Sequence, residues 1–158
     1  QRQYLAGACD AYTTDASGLA ASRATLPDAE NHVILPEIIS KEPLGPVVRH
    51  GDSNWGDVVR WTYFALLIAE EKGITQANSE EVLASTTDEE VKRLLGASGD
   101  MGVKIGLDNA AFKNAIAAGG NYGEIFARNI GEGTSINLAR GLNALWTQGG
   151  LQYAPPFR

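Results

Sequence analysis

Apolar residues recur at helical spacing along most of the chain. The widest stripe lies between Ser53 and Lys72, and its breadth predicts a long helix buried on two adjoining faces. Ser53 is the predicted N-cap of this helix, and Gly73 is its predicted end. The other segments with helical periodicity are 16–26, 79–84, 87–95, 108–118, 122–129 and 136–146.

Strand patterns are confined to the first third of the chain. Residues 10–15 are interpreted as a short alternating strand that ends in a polar pair, and 32–39 are rich in β-branched residues but interrupted by Pro36. A turn-rich connector, 41–46, leads into a third short strand at 47–50. Strand, helix and strand followed by helices predict an α/β architecture that lacks the strands needed for a full sheet.

Composition removes several classes of protein from consideration. The chain has 158 residues, 44% of them hydrophobic, which is enough for one core or for parts of two domains. Its longest uninterrupted apolar stretch, within 61–69, is about half of the roughly 20 residues that a membrane span needs. A net charge of −6 with scattered basic residues excludes nucleic acid as a partner.

Searches for catalytic and metal motifs fail. His32 and His50 have no further ligands at metal-binding spacing, so no metal site is predicted. The glycine-rich stretches 96–102 and 131–135 lack the pattern of a phosphate loop or a nucleophile elbow. The acidic run 88–90 is interpreted as a solvated first turn of a helix. The three tryptophans, Trp55, Trp61 and Trp146, lie on helical stripes and are predicted to pack in the core.

Two positions remain as candidates. Asp15 follows Thr14 at the carboxyl end of a predicted strand, where open α/β sheets bind ligands, although it could equally serve only as the N-cap of the helix at 16. Cys9 is the single cysteine, so it either pairs with a cysteine outside the chain or remains a buried free thiol.

Several long stretches resemble one family. They are Cys9-Asp-Ala-Tyr-Thr-Thr-Asp-Ala-Ser-Gly-Leu19, residues 32–46 (HVILPEIISKEPLGP), 121–126 (NYGEIF), 141–150 (GLNALWTQGG) and 153–158 (YAPPFR). Together they resemble the general L-amino-acid-binding proteins of ABC importers, which belong to the family 3 extracellular solute-binding proteins. The likeness covers nearly the whole chain and is more specific than a short motif.

The resemblance implies a periplasmic binding protein-like fold of type II, with two α/β lobes closing around an amino acid. This chain resembles only the C-terminal half: 1–38 would be the C-terminal part of lobe two, and 39–158 the return crossing and the C-terminal helical part of lobe one. The crossing is expected within 35–46. The implied partners are an L-amino acid, the membrane permease of the importer and the missing N-terminal half, in the periplasm, with no cofactor.

The resemblance also assigns roles to the candidates. Asp15 matches the acid that accepts the ligand's α-ammonium group, Thr14 beside it is a weaker candidate, and Cys9 is expected to form a disulfide with a cysteine outside this chain. The arginine that binds the α-carboxylate would lie in the absent half. The expected function is capture of polar L-amino acids such as glutamate, glutamine, aspartate and asparagine. The alternatives are a truncated, non-binding interaction module of the same fold, and an enzyme on that fold, for which no reactive acid pair is visible.

Overall fold

The computed structural model describes all residues, 1–158. The chain forms two compact units, one of Gln1–Gly45 with Ala127–Ala139 and the other of Pro46–Phe126 with Arg140–Arg158. The lobe boundary expected after residue 38 is a different division and stays a prediction.

Polar contacts hold the first unit together. It contains α1 (Arg2–Leu5), α2 (Ala16–Ala24) and a 3₁₀ turn at Ala29–Asn31. The Tyr4 hydroxyl lies 2.6 Å from Nδ1 of His32, whose Nε2 lies 3.1 Å from a carboxylate oxygen of Asp28. Arg23 donates from Nε to the carbonyl oxygen of His32 at 2.7 Å. Ala20 is the only buried apolar residue of α2, so this unit has little apolar core of its own.

The second unit is a helical domain with a contiguous core. Its helices are α3 (Ser53–Glu71), α4 (Ser79–Ser85), α5 (Glu89–Leu94), α6 (Met101–Lys104), α7 (Ala111–Gly119) and the start of α8 (Tyr122–Asn129). Helix α3 packs on α7, and α4 also contacts α7. The core is built from α3, α5, α7 and the C-terminal tail, with Leu67, Leu94, Phe112, Ile116 and Phe157 among its fully buried side chains.

The ends of α3 show how local chemistry sets its length. Asp52, not Ser53 as predicted, is the N-cap, because its carboxylate accepts a hydrogen bond from the Trp55 amide at 3.1 Å. At the other end Gly73 has φ +68°, and the Ile74 amide donates to the Ala69 carbonyl at 2.7 Å. A left-handed glycine with this backward bond ends the helix where the sequence predicts.

Three predicted strands and one predicted helix are wrong as elements of this chain. Residues 10–15, 32–39 and 47–50 form no ladder, and the one β-bridge joins Leu145 to Gln152. A strand needs a neighbour for its backbone groups, and none lies beside these segments. The helix predicted at 136–146 is replaced by short 3₁₀ turns, because Asn137 and Gly141 have positive φ angles that an α-helix excludes.

The tryptophans divide between core and surface. Trp61 packs edge-on against Phe64 and Phe157, with ring centroids 5.7 and 5.5 Å apart, as predicted. The prediction of core packing is wrong for Trp55 and Trp146, which are about half exposed. Trp55 lies in the first turn of α3, beyond the core, and Trp146 is in the segment where the predicted helix does not form. None of the eight α-helices has the length and hydropathy required to span a bilayer.

Candidate ligand-binding site

The N-terminus of α2 is organised around the Asp15 carboxylate. Asp15 is non-helical (φ −58°, ψ 155°), and its Oδ1 accepts hydrogen bonds from the Gly18 amide at 2.7 Å and the Ser17 hydroxyl at 2.5 Å. An Asp side chain that accepts from the third residue of the helix satisfies a backbone donor that otherwise has no partner. The predicted N-cap role of Asp15 is therefore confirmed.

These contacts also favour the charged form of the acid. The hydrogen bond from Ser17 lowers the pKa of the Asp15 carboxyl, and the bond from the Gly18 amide lowers it further. Both donors stabilise the carboxylate more than the neutral acid. Asp15 is partly exposed, so it is an ionised acceptor that a solute can reach at neutral pH.

The second carboxylate oxygen is less occupied than the first. Oδ2 of Asp15 accepts only the Thr14 hydroxyl, at 3.3 Å, and Thr14 itself is exposed. A Cβ atom on residue 18 would lie 2.7 Å from Oδ2 and 3.1 Å from Thr14 Cγ2, so glycine leaves this oxygen uncovered. Thr14, Asp15, Ser17 and Gly18 thus form one site, and we name these four residues the Asp15 turn.

Sequence reasoning found two of these residues and missed two. Asp15 and Thr14 were predicted, and the structure brings them together. Ser17 and Gly18 were not singled out, although their positions in the first turn after the predicted N-cap offered a signal. A small residue and a hydroxyl there bring a backbone amide and a side-chain donor to the same carboxylate.

Cys9 is exposed and has no second cysteine in the chain to pair with. The alternative that it is a buried thiol is therefore wrong. His32 is held between Tyr4 and Asp28, and no group of histidine, cysteine and acidic side chains has the arrangement of a metal site.

Two of the surface cavities lie in the second unit, and these do not include the Asp15 turn. One, of about 210 Å³, is lined by residues that include Glu71, Trp146 and Tyr153. The other, of about 390 Å³, surrounds the start of α3 near His50 and Arg60. Both are open to solvent, and neither contains a buried, unpaired polar side chain of the kind that would hold a ligand.

The partly buried charges of the second unit are already paired. Arg140 lies 2.9 Å from Glu70 and stacks over the rings of Tyr122 and Phe126 at 5.3 and 5.2 Å. Nearby, burial raises the pKa of Tyr63 to about 12, which keeps this phenol neutral. We interpret this cluster as structural, because its cation and its anion satisfy each other.

Comparison with known proteins finds relatives of high identity, although the chain matches no protein-family model. It is 73% identical, over all 158 residues, to the glutamate/glutamine/aspartate/asparagine-binding protein BztA of Rhodobacter capsulatus, and it covers 47% of that protein. It is 57% identical over 157 residues to the general L-amino acid-binding periplasmic protein AapJ of Rhizobium johnstonii, covering 98% of this chain and 46% of the relative.

A solved structure agrees with these relatives. An ABC transporter/periplasmic binding protein from Brucella ovis with glutathione bound superposes with a TM-score of 0.92 at 55% identity. The match covers 99% of this chain and 49% of the solved one. The chain therefore has the fold of about half of a periplasmic binding protein, and it spans about half the length of the relatives it matches.

Proposed function

The chain is homologous over its whole length to about half of the amino-acid-binding periplasmic proteins of ABC transporters, and from this we propose that it forms part of a solute-binding subunit for polar L-amino acids. The whole protein would capture glutamate, glutamine, aspartate or asparagine in the periplasm and deliver it to a membrane permease. It would do so by binding alone, without converting the ligand. The observation that carries the proposal is the 73% identity across all 158 residues to a protein with that specificity.

The Asp15 turn supplies the ligand contact within this chain. An α-ammonium group has three N–H donors and needs a charged acceptor once water is excluded. Asp15 offers an ionised carboxylate whose Oδ2 is left open by Gly18. Thr14, whose hydroxyl already reaches Oδ2, would orient that oxygen or contact the ligand itself.

Asparagine tests this role because it caps helices about as well as aspartate but has no charge. In a full-length protein that contains this chain, Asp15→Asn should leave the apo melting temperature nearly unchanged. Loss of one partner of a buried charge pair should weaken glutamate binding by roughly 30-fold or more. Isothermal titration calorimetry with glutamate measures the affinity.

The chain offers a matched control for that experiment. Asp88 is also a helix N-cap, with Oδ1 accepting from the Glu90 amide at 2.8 Å, but it lies in the helical second unit. Asp88→Asn should leave the affinity for glutamate unchanged. Equal affinities in wild type and in both variants would mean that Asp15 only caps α2.

The chain by itself should bind amino acids poorly. A cleft is formed by two lobes, and this chain spans about half of its relatives. We expect a dissociation constant of about 1 mM or weaker for the 158-residue chain, against roughly micromolar for a formed site. Micromolar binding of glutamate by the verified monomeric chain would contradict the view that the binding site needs both lobes.

Glutathione is a second candidate ligand, because the Brucella ovis relative was solved with it bound. Its γ-glutamyl residue has the free α-amino and α-carboxylate groups of an amino acid, so the Asp15 turn would meet the same ammonium. Competition titrations of glutamate against glutathione in the full-length protein distinguish the two. Glutathione binding at least tenfold tighter than that of any amino acid would replace our first assignment.

We also propose that Cys9 pairs with a cysteine outside this chain. Its exposed side chain is available for such a bond, and disulfides persist in an oxidising periplasm. Thiol counting on the denatured, unreduced full-length protein tests the bond. A free thiol at Cys9 under those conditions would refute it.

A further inference from the structure

The hydroxyl of Ser17 makes a contact that the capping of α2 does not require. Asp52 and Asp88 are also N-cap residues, and the hydrogen bonds that their carboxylates accept from the first turn come from backbone amides alone. At Asp15 the Gly18 amide supplies such a bond at 2.7 Å, and the Ser17 hydroxyl adds a second bond to the same oxygen at 2.5 Å. This additional contact indicates a role for Ser17 beyond helix capping.

The two donors occupy one oxygen of the Asp15 carboxylate. An ionised carboxylate has about four positions that can accept a hydrogen bond, divided between its two oxygens. Ser17 and Gly18 fill the positions on Oδ1, whereas Oδ2 accepts only the longer bond of 3.3 Å from Thr14. Rotation of the carboxylate about its Cβ–Cγ bond would break the two bonds to Oδ1. Oδ2 is therefore held in one direction.

This arrangement leaves Oδ2 as the oxygen with acceptor positions for the N–H donors of an α-ammonium group. We propose that Ser17 is a positioning residue of the amino-acid site, which holds Oδ1 of Asp15 so that Oδ2 receives the ligand's α-ammonium group. The inference rests on the proposed function, because it needs an amino acid as the ligand. Ser17 acts through Asp15, since its hydroxyl hydrogen is already donated to that carboxylate.

Ser17 also affects the pH range in which the site can bind a ligand. Its hydrogen bond is the largest influence on the pKa of the Asp15 carboxyl and lowers it, and the bonds from the Gly18 amide and the Thr14 hydroxyl lower it further. None of these neighbours carries a charge. Only the ionised carboxylate pairs with an ammonium group, so a lowered pKa in the ligand-free protein preserves binding to lower pH. Loss of the Ser17 hydroxyl should raise the pKa and move the loss of affinity to higher pH.

The test compares wild type with Ser17→Ala in a full-length protein that contains this chain. Glutamine is the probe, because its side chain does not ionise, and calorimetry measures its dissociation constant. At neutral pH the variant should bind about two- to tenfold more weakly, because the ligand must then order the carboxylate itself. The ratio of the two dissociation constants should rise further as the pH falls toward about 4. Titration of the ligand cancels in this ratio.

Three further variants separate positioning from a purely structural role. Ser17→Thr retains a hydroxyl and should recover most of the affinity that Ser17→Ala loses. Ser22→Ala removes a hydroxyl from the last turn of α2, away from Asp15, and should match the wild type at each pH. In an Asp15→Asn background, Ser17→Ala should cause no weakening that grows in acid, because an amide does not titrate. Melting of each ligand-free variant at each pH verifies that it is folded.

A ratio of dissociation constants that stays constant with pH would overturn the inference and leave Ser17 as part of the helix cap. Failure of Ser17→Thr to recover affinity would also contradict it. The proposed function is read separately, from wild type and Asp15→Asn. Binding of glutamine that Asp15→Asn weakens but Ser17→Ala does not would refute this inference and leave the proposed function standing. A full-length protein that binds no amino acid would refute both.

Discussion

The C-terminal tail should contribute a large part of the stability of the second unit through one residue. Phe157 is fully buried, and its ring packs edge-on against Trp61 and Phe112 with centroids 5.5 and 5.3 Å apart. Its backbone is held as well, because its amide donates to Glu90 at 3.1 Å and its carbonyl accepts from Arg93 at 2.8 Å. The non-helical tail therefore contributes a residue to the hydrophobic core.

Phe157→Ala removes the ring and leaves a cavity beside two aromatic partners. Substitutions of this kind cost about 3–5 kcal/mol in the free energy of unfolding. Domains are stable by only about 5–15 kcal/mol, so this is a large share of the total. For a unit of about 100 residues the melting temperature should fall by more than about 10 °C.

Urea unfolding followed by tryptophan fluorescence measures this effect, because all three tryptophans lie in the second unit. Phe157→Leu, which keeps an apolar side chain in the core, should cost less than Phe157→Ala because it leaves a smaller cavity. Leu151→Ala, at an exposed position of the same tail, should change stability by less than about 0.5 kcal/mol. A loss below about 1 kcal/mol for Phe157→Ala would refute the view that the tail is part of the core.

Three further predictions concern single positions. Asp88→Ala should cost about 1 kcal/mol at neutral pH through loss of the α5 cap. Hydrogen bonds from Lys72 and then from the Glu90 amide lower the pKa of the Asp88 carboxyl. The difference in the free energy of unfolding between variant and wild type should therefore be full above about pH 4 and disappear as the pH falls further. A difference that grew in acid would contradict this. Gly123→Ala should destabilise α8 in urea melts, because its Cβ would lie 2.8 Å from the Glu70 carboxyl carbon and 3.0 Å from Arg140 Nη1, so this partly buried ion pair would have to shift. Gly119→Ala, which meets its nearest atom at 3.9 Å, should be neutral or stabilising. In the isolated chain the exposed Cys9 should react with a thiol reagent without denaturant, and a reaction that needs unfolding would show the thiol to be covered.

The sequence by itself determined the elements whose signals are local. The stripe and the terminal glycine of α3, the N-cap of α2 at Asp15 and the bounds of α8 were all predictable, because helical spacing, capping and positive-φ glycines act within a few residues. The long stretches around Cys9 and in 32–46 also identified the family, since each carries many residues in fixed order. The same stretches singled out Asp15 and Thr14, whose role in ligand binding stays a prediction.

Tertiary structure decided what depends on distant partners. Phe157 lies in a tail with no periodicity, and only the packing of Trp61 and Phe112 makes it a core residue. Trp146 is also a large aromatic residue, but its side chain is about half exposed. Residues 32–39 have the β-branched composition of a strand, but they form no strand in the structure. A helix satisfies its backbone within its own segment, whereas a strand depends on a neighbour, and no strand in the structure lies beside 32–39.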